Sequence, residues 1–447
     1  MIDVSGLLSD QVSTGLDPGG ERCFPSAGRV QRLVRLVMLG SWVGCAGLAL
    51  LASFGCGTGS GSNASNADGT PAGGSVYACE SALADLTGSA REVCLDRVRE
   101  AARTAFADGD YENARRSFSV VARHDPFEPG AWYDLARSHA AAGDEDAAVE
   151  ALGSAATQGL LDFDRFRRDP AFRDLQDHEG FQTLLDHRDT YVEQAADRRL
   201  DALRLQLGGA YQYQRDREHR LILVTDRSVR FLDALRDELT RVADALHSTL
   251  FQHRPDEYLS VVLPDAQDFR RFLPNTLIGG VYLPERRLLL ARDADYTLRH
   301  EFVHFLHFED LEARQARVNL WLIEGIATLF ENSVVETVDG ELRLVPSPNA
   351  RQNQLHLMML RDTIPSLRAV LTAEPRAFMS DAESMYAVVR YFMMWIYEQG
   401  RLSSMYERMV AGSSVDPTGI DALETEFGVS LGEIEARWLA WVAQLGP

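Results

Sequence analysis

The spacing of apolar residues divides the chain into an all-helical part and a mixed part that begins near residue 218. In the mixed part, two short apolar runs rich in β-branched residues cover 219–226 and 257–265. Between them, the stretch 229–251 has apolar positions at helical spacing, which predicts strand, helix and strand in that order. The sequence GVYLPERRLLLAR at 280–292 alternates around a Pro-Glu-Arg break and predicts a hairpin or one long bent strand.

The fold class that this pattern predicts is α+β. We expect an N-terminal all-α helical-repeat domain, then a small mixed or antiparallel sheet packed on the helix that contains residues 298–310, then a mainly helical C-terminal part. The expected divisions are an N-terminal extension with a signal or anchor at 1–55, a flexible linker at 56–76, a repeat domain at 77–188, a connecting helix at 189–217 and a last domain at 218–447.

A period of 34 residues marks the helical part. The segment GDYENARRSF begins at Gly109, and its counterpart GDEDAAVEAL begins at Gly143. This is the period of stacked helix pairs, and residues 97–158 resemble tetratricopeptide repeats. The matching positions are Gly109, Tyr111, Ala114, Phe118, Pro126, Trp132, Leu135, Gly143 and Ala148. Since such repeats usually need three units for stability, we expect residues 160–187 to pack on them as a helical cap.

The N-terminal segment indicates export rather than a folded domain. Residues 36–54 carry no charge and follow three arginines, which is the order of an export signal. Cys56 ends the apolar run before a Gly/Ser-rich linker, and this arrangement resembles a bacterial lipoprotein signal. We therefore expect an exported cell-envelope protein anchored through lipid on Cys56. A single N-terminal membrane-spanning anchor is the alternative.

Two cysteines follow this segment. Cys79 and Cys94 form an even pair in a chain expected outside the cytoplasm, which predicts a disulfide between two helical segments. Two buried free thiols are the alternative.

Charge and composition exclude several classes of function. The 66 acidic and 45 basic residues give a net charge of −21, so we expect no nucleic-acid partner. Every basic residue is arginine, and the absence of lysine excludes Schiff-base chemistry, a Walker-type phosphate loop and a Ser-Lys dyad.

The candidate chemistry lies in LRHEFVHFLHFED at 298–310. Residues four apart share a helix face, so His300 and His304 can present their imidazoles to one metal ion. Glu301 lies nearby on the same helix, and H-E-x-x-H is the arrangement in which two histidines bind zinc and the glutamate is the general base. An ordinary amphipathic helix can contain the same letters by chance.

A catalytic zinc also needs a third protein ligand, and NLWLIEGIATLFENS at 319–333 offers Glu324. A carboxylate in such an apolar, helix-patterned stretch is costly unless it is paired or bound to a cation. We expect Gly325 to allow close approach of the two helices. Thr328 and Glu331 are candidates for orienting the histidine ligands.

These residues resemble a family. H-E-x-x-H followed by W-x-x-E-G-x-A is similar to the gluzincins, the thermolysin-like zinc peptidases, and most closely to peptidase MA-like domains. The resemblance covers about 218–445 and implies His300, His304 and Glu324 as zinc ligands and Glu301 as the base. Thermolysin has an aspartate where this chain has Thr328, so the surroundings of the ligands depart from the family.

Other residues near the motif have weaker claims. Asp310 remains an alternative metal ligand, whereas we expect His307 to pack beside the motif. Related aminopeptidases place a tyrosine at the oxyanion, and Tyr386 is our candidate for that role, with Tyr391 as the alternative. The strand within 280–292 resembles the edge strand on which gluzincins align an extended peptide.

The function that follows is a zinc-dependent metallopeptidase outside the cytoplasm. Its substrate is a peptide or protein, its cofactor is Zn²⁺, and Glu301 is the general base for a zinc-activated water. The repeats would bind a protein partner or act as a spacer. The alternative function is a non-catalytic envelope scaffold that binds protein partners through the repeats.

Overall fold

The computed structural model describes residues 76–125, 128–273 and 279–445. These residues form two compact units, 76–202 and 203–445. Among the described helices, none is long and apolar enough to cross a bilayer. The predicted signal or anchor, the lipid site at Cys56 and the linker up to residue 75 lie outside the described residues.

The N-terminal unit is all helical. Its helices are α1 Val76–Ala82, α2 Gly88–Ala107, α3 Tyr111–His124, α4 Pro129–Ala141, α5 Glu145–Thr157, α6 Phe163–Arg168, a 3-10 helix Pro170–Leu175, α7 Glu179–Asp186 and α8 Arg188–Leu207, which extends past residue 202. The predicted disulfide is present: Cys79 and Cys94 join α1 to α2 with their Cα atoms 5.1 Å apart. The alternative of two free thiols is therefore wrong.

The 34-residue period has a local physical cause. Gly109 and Gly143 both have a φ of +80°, where glycine is favoured, and each precedes an aspartate. The Asp110 carboxylate accepts the N–H of Asn113 at the start of α3, and Asp144 accepts the N–H of Ala147 at the start of α5. The same turn and helix cap therefore recur after 34 residues and start the second helix of each pair.

Residues 160–187 pack on the repeats, as predicted. The Tyr133 hydroxyl of α4 donates to Asp169 at 2.6 Å, and the Tyr133 ring contacts Phe166 and Phe172. Since both phenylalanines are fully buried, this segment shares a core with the last repeat helices.

The expected connecting helix is shorter than its predicted range of 189–217. α8 ends at Leu207, where Gly208 has a φ of +78°, and β1 Gln212–Asp216 follows. β1 is a half-buried edge strand with the sequence QYQRD, and it lacks the apolar run that would distinguish it from polar helix.

The C-terminal unit contains a mixed sheet, as predicted, and this sheet has five strands. The strands are β1, β2 Leu221–Thr225, β3 Leu259–Leu263, β4 Gly280–Leu283 and β5 Leu288–Ala291, in the spatial order β1-β2-β3-β5-β4. β2, β3 and β5 are parallel neighbours, whereas β1 and β4 are antiparallel edges. Residues 280–292 therefore form the predicted hairpin, and β4 is an edge strand.

Helices account for most of the rest of this unit. They are α9 Val229–Thr249, α10 Ala266–Phe272, α11 Tyr296–Ala313, α12 Leu320–Glu331, α13 Arg351–Leu360, α14 Leu367–Leu371, α15 Pro375–Ser380, α16 Ala382–Glu398, α17 Leu402–Gly412, α18 Ile420–Phe427 and α19 Leu431–Val442, with a 3-10 turn at Pro284–Arg286. A second hairpin, β6 Ser333–Val338 and β7 Glu341–Pro346, was not predicted. The fold class is therefore α+β.

One buried core holds α11 and α12 in place. It includes Leu298 and Phe302 of α11, Ile323 and Ile326 of α12, and Val389 of α16. The predicted close approach at Gly325 exists, but its partner is α16 and not α11. A Cβ added at Gly325 would lie 2.9 Å from Met393 Cγ.

Candidate metal centre

α11 brings the two histidines of the motif together. The helix begins after Asp295, whose carboxylate accepts the N–H of Thr297. One helical turn separates His300 from His304, and their Nε2 atoms are 3.0 Å apart. The sequence prediction that the two imidazoles converge on one point is confirmed.

α12 adds Glu324 to the same point. Its Oε2 lies 3.4 Å from His300 Nε2 and 3.4 Å from His304 Nε2. One ligand atom from each of the three residues lies within 4.8 Å of the others, and this is the one such metal-competent group within the described ranges. The structure therefore places the three predicted ligands in one cluster.

The donor set fits a zinc ion. With ligand bonds of about 2.0–2.1 Å, two ligands of a tetrahedral zinc ion lie roughly 3.3–3.4 Å apart. The three observed separations, 3.0, 3.4 and 3.4 Å, are close to that value. Glu324 Oε2 is buried and has no hydrogen-bond partner among the described residues, so a cation would satisfy it.

The charges of the cluster are strongly coupled. Burial raises the pKa of Glu324, but the adjacent His304 and His300 outweigh burial and lower that pKa well below its usual range. Burial lowers the pKa of His300, but the carboxylates of Glu324 and Glu331 beside its ring outweigh burial and raise the pKa to about 10. Without a metal ion, a protonated His300 supplies positive charge opposite Glu324.

Glu331 contacts one of the two histidines, at the position expected of a group that orients a ligand. Its Oε2 lies 3.1 Å from His300 Nδ1, on the side of the ring away from the cluster. Thr328 does not have this role, because its hydroxyl donates to the carbonyls of Glu324 and Gly325 in its own helix. His304 Nδ1 has no hydrogen-bond partner among the described residues, and the ring of His304 stacks on Phe308 with centroids 5.8 Å apart.

Glu301 lies between the cluster and the edge of the sheet. Its Oε2 accepts the backbone N–H of Tyr282 at 2.9 Å. Tyr282 belongs to β4, so the candidate base contacts the edge strand predicted to align a peptide. The side chain of Glu301 is half-buried.

Tyr386 lies at the cluster and Tyr391 does not. The Tyr386 ring is 6.4 Å from the His300 ring between centroids. Burial, followed by the carboxylates of Glu324 and Glu301, raises the pKa of Tyr386 far above its usual value, so its hydroxyl keeps its proton. Tyr391 instead hydrogen-bonds the backbone of Asn349, so it is a core residue.

Asp310 is not part of the cluster, so the alternative that it is a ligand is not supported. Its carboxylate accepts the N–H groups of Gln252 and His253 and the hydroxyl of Tyr406, which lowers its pKa despite burial. His307 packs beside the motif, as expected, with its ring stacked on Phe251. Burial lowers the pKa of His307 to about 3.

Sequence reasoning missed the arginines behind Glu331. Arg351 donates to both oxygens of that carboxylate, and Arg390 Nη1 lies 3.8 Å from Glu331 Oε1. The sequence did contain one signal, because Arg390 lies in the apolar stretch 384–397, where a buried charge needs a partner.

Comparison with known proteins bears on the N-terminal unit alone. The tetratricopeptide repeat family matches residues 105–165, in agreement with the repeat prediction. No curated protein and no solved structure matches the chain. The repeat region is therefore of the tetratricopeptide type, which indicates binding to protein partners.

Proposed function

We propose that the protein binds a protein partner through its repeats and that its C-terminal unit is a zinc-dependent peptidase of the gluzincin type. The repeat match supports the first part. The second part rests on one observation, the convergence of His300, His304 and Glu324. Of the two functions, the comparisons favour the non-catalytic scaffold, because the family that matches is a repeat that typically binds protein partners.

A bound zinc ion would supply a water molecule acidic enough to lose a proton near neutral pH, and it would polarise the scissile carbonyl. Glu301 would accept the proton of that water and pass it to the leaving amine. Since Oε2 of Glu301 is hydrogen-bonded to the Tyr282 amide, Oε1 is the oxygen that we assign to the proton. Peptide cleavage requires Glu301 first to accept the proton of the water and then to donate it to the leaving amine.

Two other groups have roles in this proposal. The hydroxyl of Tyr386 is protonated beside the cluster and would donate to the oxyanion that forms at the carbonyl. β4 ends the sheet beside Glu301, so an extended peptide could add to it by main-chain pairing.

We also propose export with an anchor at Cys56 or at an N-terminal membrane helix. The disulfide of Cys79 and Cys94 supports an oxidising compartment.

The test of the metal centre is the zinc content of the full chain, purified in detergent without added zinc, beside His304→Ala. We expect one zinc per chain in the natural protein and none in the variant, because the remaining two ligands bind zinc too weakly. A folded protein that takes up no zinc would refute the metal centre and the peptidase together.

The test of catalysis is Glu301→Gln, which keeps the shape of the side chain but cannot take a proton. We expect this variant to retain zinc and to lose hydrolysis of a mixed peptide digest, followed by mass spectrometry. If the natural protein holds zinc but cleaves no more than Glu301→Gln, the scaffold function replaces the peptidase.

A further inference from the structure

The carboxylate of Glu331 has an unusual number of partners for a buried group. Its side chain is 3% exposed. Oε2 lies 3.1 Å from His300 Nδ1, while Oε1 accepts the side-chain amide of Asn349 at 2.9 Å. Since Nδ1 of His300 donates to this carboxylate, Nε2 keeps the lone pair that a metal ion requires. The tautomer and the ring angle of His300 therefore depend on where Glu331 is held.

Arg351 holds that carboxylate at two points. Its Nε donates to Oε1 at 3.1 Å, and its Nη2 approaches Oε2 at 3.4 Å. A guanidinium that contacts both oxygens fixes the plane of the carboxylate, which a single donor cannot do. The second of these oxygens is the one that faces His300.

The other neighbours of Glu331 do not supply this restraint. Asn349 contacts Oε1 alone. Arg390 is fully buried, but it donates to the carbonyls of Leu329 and Ser347 and lies 3.8 Å from Glu331 Oε1, so it contributes charge without a close hydrogen bond. Arg351 is therefore the one described side chain that bridges both oxygens.

The guanidinium of Arg351 is itself fixed in place. It lies over the ring of Tyr386, with Cζ 5.1 Å from the ring centroid. The backbone N–H of Arg351 donates to the side-chain oxygen of Asn349 at the start of α13. With 29% of its side chain exposed, Arg351 can be replaced with less disruption than the fully buried Arg390.

We infer that Arg351 is a positioning residue for the metal centre, acting through Glu331 on His300. This inference rests on the metal centre of the proposed function, but it does not depend on peptide cleavage. It predicts that a residue with no contact to the metal ligands changes metal affinity, and that it does so only while Glu331 is present.

The experiment measures zinc affinity of the full chain by competition with a chromogenic chelator. We compare the natural protein with Arg351→Leu, Glu331→Gln and the double variant. Arg361→Leu is the matched control, because Arg361 is an exposed arginine at the end of the same helix, α13. Thermal unfolding of each variant verifies that it is folded.

Loss of a group that orients a metal ligand typically weakens metal binding 10–100-fold. We expect Arg351→Leu to weaken zinc binding about tenfold and to cause no further weakening when it is combined with Glu331→Gln. We expect the control, Arg361→Leu, to leave zinc affinity unchanged. Arg351→Lys should fall between the natural protein and Arg351→Leu, since an ammonium can meet one oxygen but not both. Arg351→Lys also replaces Arg351→Leu if the latter does not fold.

Two results would overturn the inference while leaving the metal centre intact: equal zinc affinity in Arg351→Leu and the natural protein, or losses that multiply in the double variant. A natural protein that binds no zinc would instead overturn the metal centre and this inference with it. If the zinc affinities follow this prediction but the natural protein cleaves no peptide, only the peptidase function is refuted.

Discussion

Gly325→Ala tests the packing that carries Glu324 to the histidines. The new methyl carbon would lie 2.9 Å from Met393 Cγ and 3.8 Å from Val389 Cβ. Favourable carbon–carbon contacts lie at about 3.5–4.0 Å, so the first contact is too short by more than half an ångström. Met393 is fully buried, and the clash is at Cγ, near its backbone, so the side chain cannot simply swing away.

The magnitude follows from two opposing effects. Alanine within a helix is more favourable than glycine by about 1 kcal/mol. Overpacking a buried contact costs typically 1–3 kcal/mol. We expect a net loss of about 1 kcal/mol in the free energy of unfolding, or a fall of about 2–4 °C in the midpoint for a unit of this size. A shift of α12 away from α16 would also move Glu324 and weaken zinc binding.

The assay is thermal unfolding followed by tryptophan fluorescence. It reports mainly on the C-terminal unit, which contains Trp321, Trp395, Trp438 and Trp441. Gly432→Ala is the control, because Gly432 lies in α19 and a Cβ there meets nothing within 4 Å. We expect that control to be neutral or more stable by up to about 1 kcal/mol. Stability at or above that of the natural protein in Gly325→Ala, with unchanged zinc affinity, would refute the packing argument.

Three further predictions address other parts of the molecule. Tyr386→Phe should retain zinc and lower kcat by about 10²–10³ if its hydroxyl stabilises the oxyanion, whereas an unchanged kcat would exclude that role. Burial raises the pKa of Glu309 from 4.5 to about 7 although Arg287 opposes it, so the stability that Glu309 adds is fully present below pH 4.5 and is lost as the pH rises to 7. Glu309→Gln should flatten that slope in denaturant titrations. Replacing Cys79 and Cys94, separated by 15 positions, with alanine should destabilise the N-terminal unit by about 3 kcal/mol in urea, and an unchanged midpoint would contradict this.

The cluster of His300, His304 and Glu324 was predictable because its geometry is largely local. Two histidines four positions apart must share a face of any helix, and the helix was evident from the apolar positions around them. Glu324 comes from a second helix, but its cost in an apolar stretch identified it without knowledge of the packing. The 34-residue period of the repeats was predictable for the same reason, because each turn and cap is built from adjacent residues.

The parts that the sequence did not reveal depend on distant contacts. β1 is polar and is a strand because it pairs with the buried β2. Arg351 is an ordinary surface-type residue in the sequence, and only the fold brings it to Glu331, twenty positions away. The hairpin of β6 and β7 did carry a local signal, Asp339-Gly340, where both residues have positive φ, as a two-residue hairpin turn requires.

The contact between Tyr282 and Glu301 would make a peptide substrate and the general base compete for one hydrogen-bond donor, the N–H of Tyr282. The amide of Tyr282 has a single hydrogen, and Glu301 Oε2 accepts it. A peptide whose carbonyl pairs with this amide must displace Oε2, so arrival of the peptide would free the second oxygen of Glu301 as well as Oε1. The carboxylate stretching band of Glu301 in infrared difference spectra should then shift when peptide binds the zinc-free protein. An unmoved band would mean that peptides pair with β4 elsewhere.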